Sequence, residues 1–288
     1  MPGTASESRD SGFGNRDSTR RSETKRRVAL ITGGSSGIGE AFADVFAADR
    51  FDLVLTARRK DRLHAVQERI QRQHGVHADV IVSDLSQRDA SERLCAGIAA
   101  RGLTIDALVN NAGYGVPGAY VASTWETHAA FIQVMVTAVA ELTHRLLPGM
   151  IERRYGRIVN VASLAGLVPS PAGHTLYAAS KAFLIKFSES LAHEVGRDNV
   201  HVTAVCPGFT FSEFHDVIGT RAAVSRLPRF MWMDAADVAK QGHAAVMAGK
   251  SIVVTGRVNS AIATLVRMLP QRLIVGAGRR IGRSYRRV

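Results

Sequence analysis

The chain has 288 residues, 46% of them apolar, 22% charged and 6% aromatic. That apolar content can offset the entropic cost of ordering a large core, so a wholly disordered chain is excluded. Of the net charge of +12, residues 257–288 supply +8 from eight arginines and no acid, residues 1–27 supply +3, and the body between them only +1. A nucleic-acid-binding face is therefore not expected, because the basic groups lie at the two ends rather than on the folded body. No run of 18 uninterrupted apolar residues occurs, and a membrane-spanning helix is not expected. Cys95 and Cys206 lie far apart in apolar runs, which points to buried thiols in a reducing, cytoplasmic setting rather than a disulfide.

Residues 1–26 are rich in Ser, Thr, Gly, Arg and Asp and read as a disordered polar tail. They lack the apolar centre of a secretory signal, and their four acids do not suit a mitochondrial presequence. From Arg27 the pattern changes. Strand-like runs fall at Val28–Ile31, Leu53–Thr56, Asp79–Val82, Ala107–Val109, Arg157–Val161, Val200–Val205 and Ile252–Val254. Segments of helical period lie between them, at 37–48, 60–73, 87–100, 124–151, 175–196 and 234–248. Such alternation predicts an α/β fold, a doubly wound parallel sheet of seven strands with helices on both faces. One domain over 27–256 accounts for all of it, followed by a basic C-terminal extension over 257–288.

The first strand runs into Thr32-Gly33-Gly34-Ser35-Ser36-Gly37-Ile38-Gly39 and then a helix. Glycines admit positive φ and let the backbone approach a pyrophosphate, while the helix N-terminus offers N–H groups and the positive end of its dipole. Placed after strand one of a βαβ unit, the turn predicts dinucleotide binding. The same residues spell Gly33-x-Ser35-x-Gly37, the pattern of a hydrolase nucleophile elbow. That pattern belongs after a mid-sheet strand, with its acid and histidine downstream, so the hydrolase reading is disfavoured.

A second cluster follows 130 residues later, where Ser163 ends the fifth strand and Tyr177-Ala178-Ala179-Ser180-Lys181 opens the next helix. Tyr and Lys four apart share a helix face. An ammonium beside a phenol is expected to lower the phenol's pKa, making Tyr177 a proton donor to a carbonyl or acceptor from an alcohol near neutral pH.

Together with Asn110-Asn111-Ala112-Gly113 after strand four and Cys206-Pro207-Gly208 after strand six, these motifs resemble the short-chain dehydrogenase/reductase family. The resemblance runs from Arg27 to about Arg257, over a single Rossmann-like domain. It implies Tyr177 as acid/base, Lys181 as ribose holder and tuner of Tyr177, Ser163 as substrate-orienting residue, and Asn110 as a stabiliser of the central strands. It also implies cofactor contacts from Gly33, Ser35, Ser36, Gly37, Ile38, Gly39, Asn110, Ala112, Gly113, Tyr177, Lys181, Pro207, Gly208 and Thr210, with Asp84 and Leu85 beside the adenine. The Ser–Tyr spacing of 14 is one longer than common in the family, which fits a loop holding Pro169 and Pro171.

Strand two ends Leu55-Thr56-Ala57-Arg58-Arg59. NAD-specific relatives carry an acid where Ala57 stands, and a guanidinium at Arg58 suits a 2′-phosphate, so NADP(H) is the expected cofactor. The family's usual helix Asn, which holds a water in a proton relay to the lysine, is replaced by Met135. That departure keeps open a dinucleotide-binding protein with weak or no catalysis.

Five of 18 aromatic residues fall between 209 and 232, and Phe209, Phe211, Phe214 and Trp232 are the expected cover of an apolar substrate site. The segments Glu213–Asp216 and Phe230–Asp234 resemble bacterial ketoacyl and mycolate-type lipid reductases, which implies reduction of a keto group on a long acyl chain or similar lipid. The apolar and Arg-rich residues after Gly256 suit peripheral contact with an anionic membrane surface. A homo-oligomer is expected. The ten histidines show no metal-ligand spacing.

Overall fold

The structure, a computed structural model, describes residues 26–169, 172–173, 175–211, 213 and 228–269. Seven parallel strands form one sheet: β1 (Val28–Thr32), β2 (Asp52–Ala57), β3 (Ala78–Val82), β4 (Ile105–Asn110), β5 (Gly156–Val161), β6 (Val200–Cys206) and, at the far edge, β9 (Ile252–Val254). Their spatial order is β3-β2-β1-β4-β5-β6-β9. The order reverses between β1 and β4, and a doubly wound sheet opens its binding crevice at the carboxyl ends there. Two further strands, β7 (Phe209–Phe211) and β8 (Trp232–Asp234), pair with each other outside the main sheet and were not anticipated.

The central strands read as continuous apolar runs because both faces are covered. On one face Ala29, Ile31 and Val205 pack with Phe42 and Phe46 of α1 (Gly37–Ala48) and Val238 of α7 (Ala235–Met247). On the other, Leu30, Leu108 and Ile158 pack with Leu94 of α3 (Ala90–Ala99), Leu142 of α5 (Ala138–Glu152) and Leu191 of α6 (Thr175–Val195). The helix α2 (Lys60–His74) ends on Gly75 at φ +63°, a left-handed cap suited to glycine.

The expected single helix over 124–151 is interrupted. α4 (Trp125–Ile132) passes through a π turn at Gln133–Thr137 into α5. By length and composition alone the run Trp125–Glu152 is long and apolar enough to cross a membrane, yet Phe131, Met135, Ala138 and Leu142 are buried within the fold. The third helix starts at Ala90 rather than 87, after a turn in which Ala90 N donates to Gln87 O. The segment 257–268, read as extension, is a helix, α8 (Arg257–Met268), whose Asn259 and Ala263 are buried against the body. Cys206 is buried and Cys95 half-buried, both as free thiols.

Candidate active site

The glycine turn is held by the end of β4. Thr32 Oγ1 donates to Val109 O and accepts from the backbone N–H groups of Asn111 and Ala112, each at 3.0 Å. Asn111 Nδ2 donates to Thr32 O at 3.0 Å and Gly33 O at 3.3 Å. Gly33 lies at φ +66°, and a Cβ there would stand 2.7 Å from Asn111 Nδ2, so glycine is required twice over. A Cβ on Gly39 would lie 2.3 Å from Gly33 O, which shows how closely α1 is drawn onto the turn. Gly37 begins α1, whose first turn therefore opens at the crevice.

From this turn a cavity of about 720 Å³ runs across the carboxyl ends of the strands to Tyr177. It is bordered by Gly33, Ser35, Ser36, Gly37 and Ile38 at one end, Arg58, Asp84 and Leu85 beside them, Ala112 and Gly113 midway, and Ser163, Tyr177, Lys181, Pro207, Gly208 and Thr210 at the other end. Gly39 and Asn110 do not reach it. Gly39 is a packing contact behind the turn. Asn110 is buried under the cavity floor, where it donates to Asn160 Oδ1 at 2.9 Å and Thr143 Oγ1 at 3.3 Å, and Asn160 donates on to Ser188 Oγ at 2.9 Å. This polar chain ties β4, β5, α5 and α6 together through the amide nitrogens of Asn110 and Asn160.

Among the expected covering aromatics that lie in the described residues, only Phe209 borders the cavity. Phe211 and Trp232 stack on each other, centroids 4.8 Å apart and rings inclined by 18°, because the β7–β8 ladder sets their faces together off the cavity. Phe214 lies outside the described residues, as does Pro171. Met231 and Ile262 border the cavity instead.

At the far end, Ser163 caps the short 3₁₀ turn Leu164–Gly166. Its hydroxyl accepts from Ala165 N at 3.1 Å, donates to Pro207 O at 3.5 Å, and also bonds Tyr177. Lys181 is buried; its Nζ donates to Val161 O at 2.7 Å and lies 5.7 Å from the centroid of the Tyr177 ring. Burial pushes the Lys181 ammonium down to about 8. The expected lowering of Tyr177 is not found. Burial raises the phenol above its ordinary value, with the Ser163 hydrogen bond pulling the other way.

At the opposite end, Arg58 is exposed and borders the cavity. Arg59 donates to Ser36 Oγ at 2.8 Å, Ser35 Oγ at 3.2 Å and Glu213 Oε2 at 2.8 Å.

A family model described as short chain dehydrogenase matches residues 27–222. The chain belongs to the short-chain dehydrogenase/reductase family. It is 35% identical over 246 residues to nodulation protein G of Rhizobium sp. (strain N33), covering 81% of this chain and 97% of that protein. It is 37% identical over 194 residues to a very-long-chain 3-oxoacyl-CoA reductase of Anas platyrhynchos, covering 66% of this chain and 61% of that protein. Among solved structures, a short-chain dehydrogenase of Sphingobium yanoikuyae in complex with NADPH superposes with a TM-score of 0.73 at 28% identity, covering 85% of this chain and 97% of that one. A family member from Burkholderia phymatum in complex with NAD gives 0.74 at 27% identity, over 83% and 92%. This protein is thus an oxidoreductase of the family.

Against the family pattern, Met135 is the departure. It is 1% exposed in the π turn, and a Cβ on Gly113 would lie 2.8 Å from its sulfur, so the thioether packs on the β4 loop. A π turn inside an α-helix often marks a functional site, and this one faces the cavity. Sequence reasoning also missed Asn111, Glu213 and Asn259. Asn259 reaches the cavity from α8, donates to Thr255 O at 2.8 Å, and packs so tightly on Gly208 that a Cβ there would stand 2.4 Å from its Oδ1. No local signal marks it, since the backbone it packs on, at Gly208, is remote in sequence. Asn111 did carry one: it repeats the amide of Asn110 beside the glycine loop.

Proposed function

We propose that this oxidoreductase is an NADP(H)-dependent ketoreductase acting on an apolar, long-chain lipid-type substrate, with Tyr177 as acid/base and Lys181 and Ser163 as its partners. One observation carries the reading: a single cavity joins the glycine turn to the Ser163–Tyr177–Lys181 cluster. The residues fit a dinucleotide. Gly33 has no Cβ to obstruct a pyrophosphate, and the first turn of α1 offers N–H donors to it. Asp84 and Leu85 would border the adenine, and Pro207, Gly208 and Thr210 the nicotinamide.

The bound cofactor supplies the hydride. Tyr177 donates its phenolic proton to the substrate oxygen during reduction, and takes it back in the oxidative direction. Ser163 hydrogen-bonds the same oxygen and orients the carbonyl. Lys181 would hold the ribose; an ammonium has three donors, so its bond to Val161 O does not exhaust it. Asn110 acts from below, through the buried chain that fixes β4 against β5.

The NADP(H) preference is supported by Ala57 in place of an acid and by Arg58 and Arg59 beside the glycine turn. The substrate class is supported by the apolar border of Phe209, Met231 and Ile262, and by the name of the 3-oxoacyl-CoA reductase relative. NADPH oxidation with a panel of long-chain 3-oxoacyl thioesters and bulky ketones tests both. Binding of NADPH without turnover of any of them would favour the second reading, a dinucleotide-binding protein with weakened chemistry, which rests on the apolar packing at Met135.

The same proposal places the protein in a cytoplasmic setting, as a homo-oligomer, against an anionic bilayer. The outward face of α8 exposes Val258, Leu265 and Met268, with Leu269 exposed just after it, and the sequence from 257 onward holds eight arginines and no acid.

A further inference from the structure

Glu213 is held by two guanidiniums at the rim of the cavity. Arg59 donates to its Oε2 at 2.8 Å and Arg62 donates to its Oε1. The other terminal nitrogen of Arg59 reaches Ser36 Oγ and Ser35 Oγ on the glycine turn. Arg58, Arg59, Ser35, Ser36 and Glu213 all border the same cavity. The two arginines hold the carboxyl below the usual carboxylate range, so it is ionised at neutral pH. A carboxylate between guanidiniums, with hydroxyls alongside, occupies the donor set that would receive a phosphate monoester. The carboxyl end of strand β2 offers no acid to this rim, since it closes on Ala57. The carboxylate at this rim comes instead from a residue 154 positions away from Arg59.

The geometry points to Glu213 as a cofactor-selectivity residue: an internal anion that competes with the 2′-phosphate of NADP(H) for Arg59 and so limits the preference over NAD(H). This rests on the NADP(H) reading above. A 2′-hydroxyl carries no charge and does not displace the carboxylate, so NAD(H) binding leaves the Arg59–Glu213 pair in place. A 2′-phosphate must displace it. Both Glu213 pairs are part-exposed, with side-chain exposures of 37–53%, and such pairs are individually weak. The competition is therefore worth a few-fold, up to roughly tenfold, in affinity rather than several decades.

The test is calorimetry of the full chain with 2′,5′-ADP and 5′-AMP, two nucleotides that differ at the contested position and need no catalysis. Glu213→Gln is expected to bind 2′,5′-ADP about three- to tenfold more tightly than wild type, with 5′-AMP changed less than twofold. Glu213→Asp should stay near wild type, since it keeps the charge. In steady state, Glu213→Gln should lower KM for NADPH while leaving KM for NADH unchanged. If wild type prefers 2′,5′-ADP but Glu213→Gln binds it no more tightly, or more weakly, the competition is refuted and Glu213 is a support for Arg59. If wild type and Glu213→Gln both bind 2′,5′-ADP no better than 5′-AMP, the NADP(H) reading itself fails, and the inference with it.

Discussion

Gly166 touches the backbone of α6 at Lys181: a Cβ on Gly166 would stand 2.7 Å from the Lys181 carbonyl carbon and 2.8 Å from the Ala182 nitrogen. The 3₁₀ turn capped by Ser163 therefore rests directly on the helical turn that carries Lys181. This contact brings Ser163 to Tyr177, although 14 residues separate them in the chain. Gly166→Ala must push the two backbones apart, and overpacking of this kind costs about 1–3 kcal/mol. The variant should melt earlier and lose at least about tenfold in kcat, since a small misplacement of reacting groups is expensive. Wild-type values in both measurements would show that the contact positions nothing.

Tyr177→Phe keeps the ring and removes the transferable proton. Loss of general acid catalysis is worth roughly a hundredfold to ten-thousandfold. Turnover should fall by that order while NADPH binding, read by fluorescence titration, is largely retained. Turnover within threefold of wild type would sink the assignment of Tyr177 as the acid.

Lys181 ties stability to pH. Its native pKa of about 8 lies below the unfolded value near 10.4, so between those limits the unfolded chain binds the extra proton. Unfolding free energy from this group therefore rises with pH across that window, and the cost of burying the ammonium is felt fully below it. The linkage amounts to roughly 3 kcal/mol. Urea denaturation at pH 8 and pH 10 should show wild type gaining stability relative to Lys181→Met as pH rises. Parallel changes in the two proteins would mean that Lys181 is not desolvated as described.

Met135→Asn tests the missing relay residue. The position is buried and its sulfur packs on Gly113, so an amide there would be left without a partner at a cost of about 1–3 kcal/mol. The expected result is a lower melting temperature and kcat within tenfold of wild type with NADPH and one ketone. A gain of tenfold or more would instead mark an enzyme whose natural chemistry is weakened at Met135.

The outward face of α8 is tested by co-sedimentation with vesicles of phosphatidylcholine alone or mixed with phosphatidylglycerol. Wild type should pellet with the anionic vesicles and dissociate as salt rises. Leu265→Glu with Met268→Glu should abolish pelleting and leave the fold intact, because both side chains are exposed, at 58% and 78%. Equal pelleting of the double variant would remove the apolar contribution.

The seven strands, their helices and the family were legible in the residue order because each rests on short-range information. Val28–Ile31 is apolar throughout since both faces of its strand are covered. The glycine turn follows it directly, and Tyr177 and Lys181 are one helical turn apart. None of these needs a distant partner to be recognised. The same is true of Arg58, whose place follows from the end of β2.

Only the tertiary structure decided which of the singled-out residues meet. Asn110 turned inward to Asn160 and away from the cavity because the buried face of β5 offered it a partner. Phe211 and Trp232 stacked on each other because β8 returns beside β7, a pairing that their own residues do not announce. Lys181 settled on Val161 O, and burial of the Tyr177 phenol reversed the expected direction of its pKa. Arg59 met Glu213, and Gly208 met Asn259, across long stretches of chain. Period and spacing encode which face of an element is apolar. Which side chain on that face finds which partner is set by close packing among segments far apart in sequence, and no local window contains it.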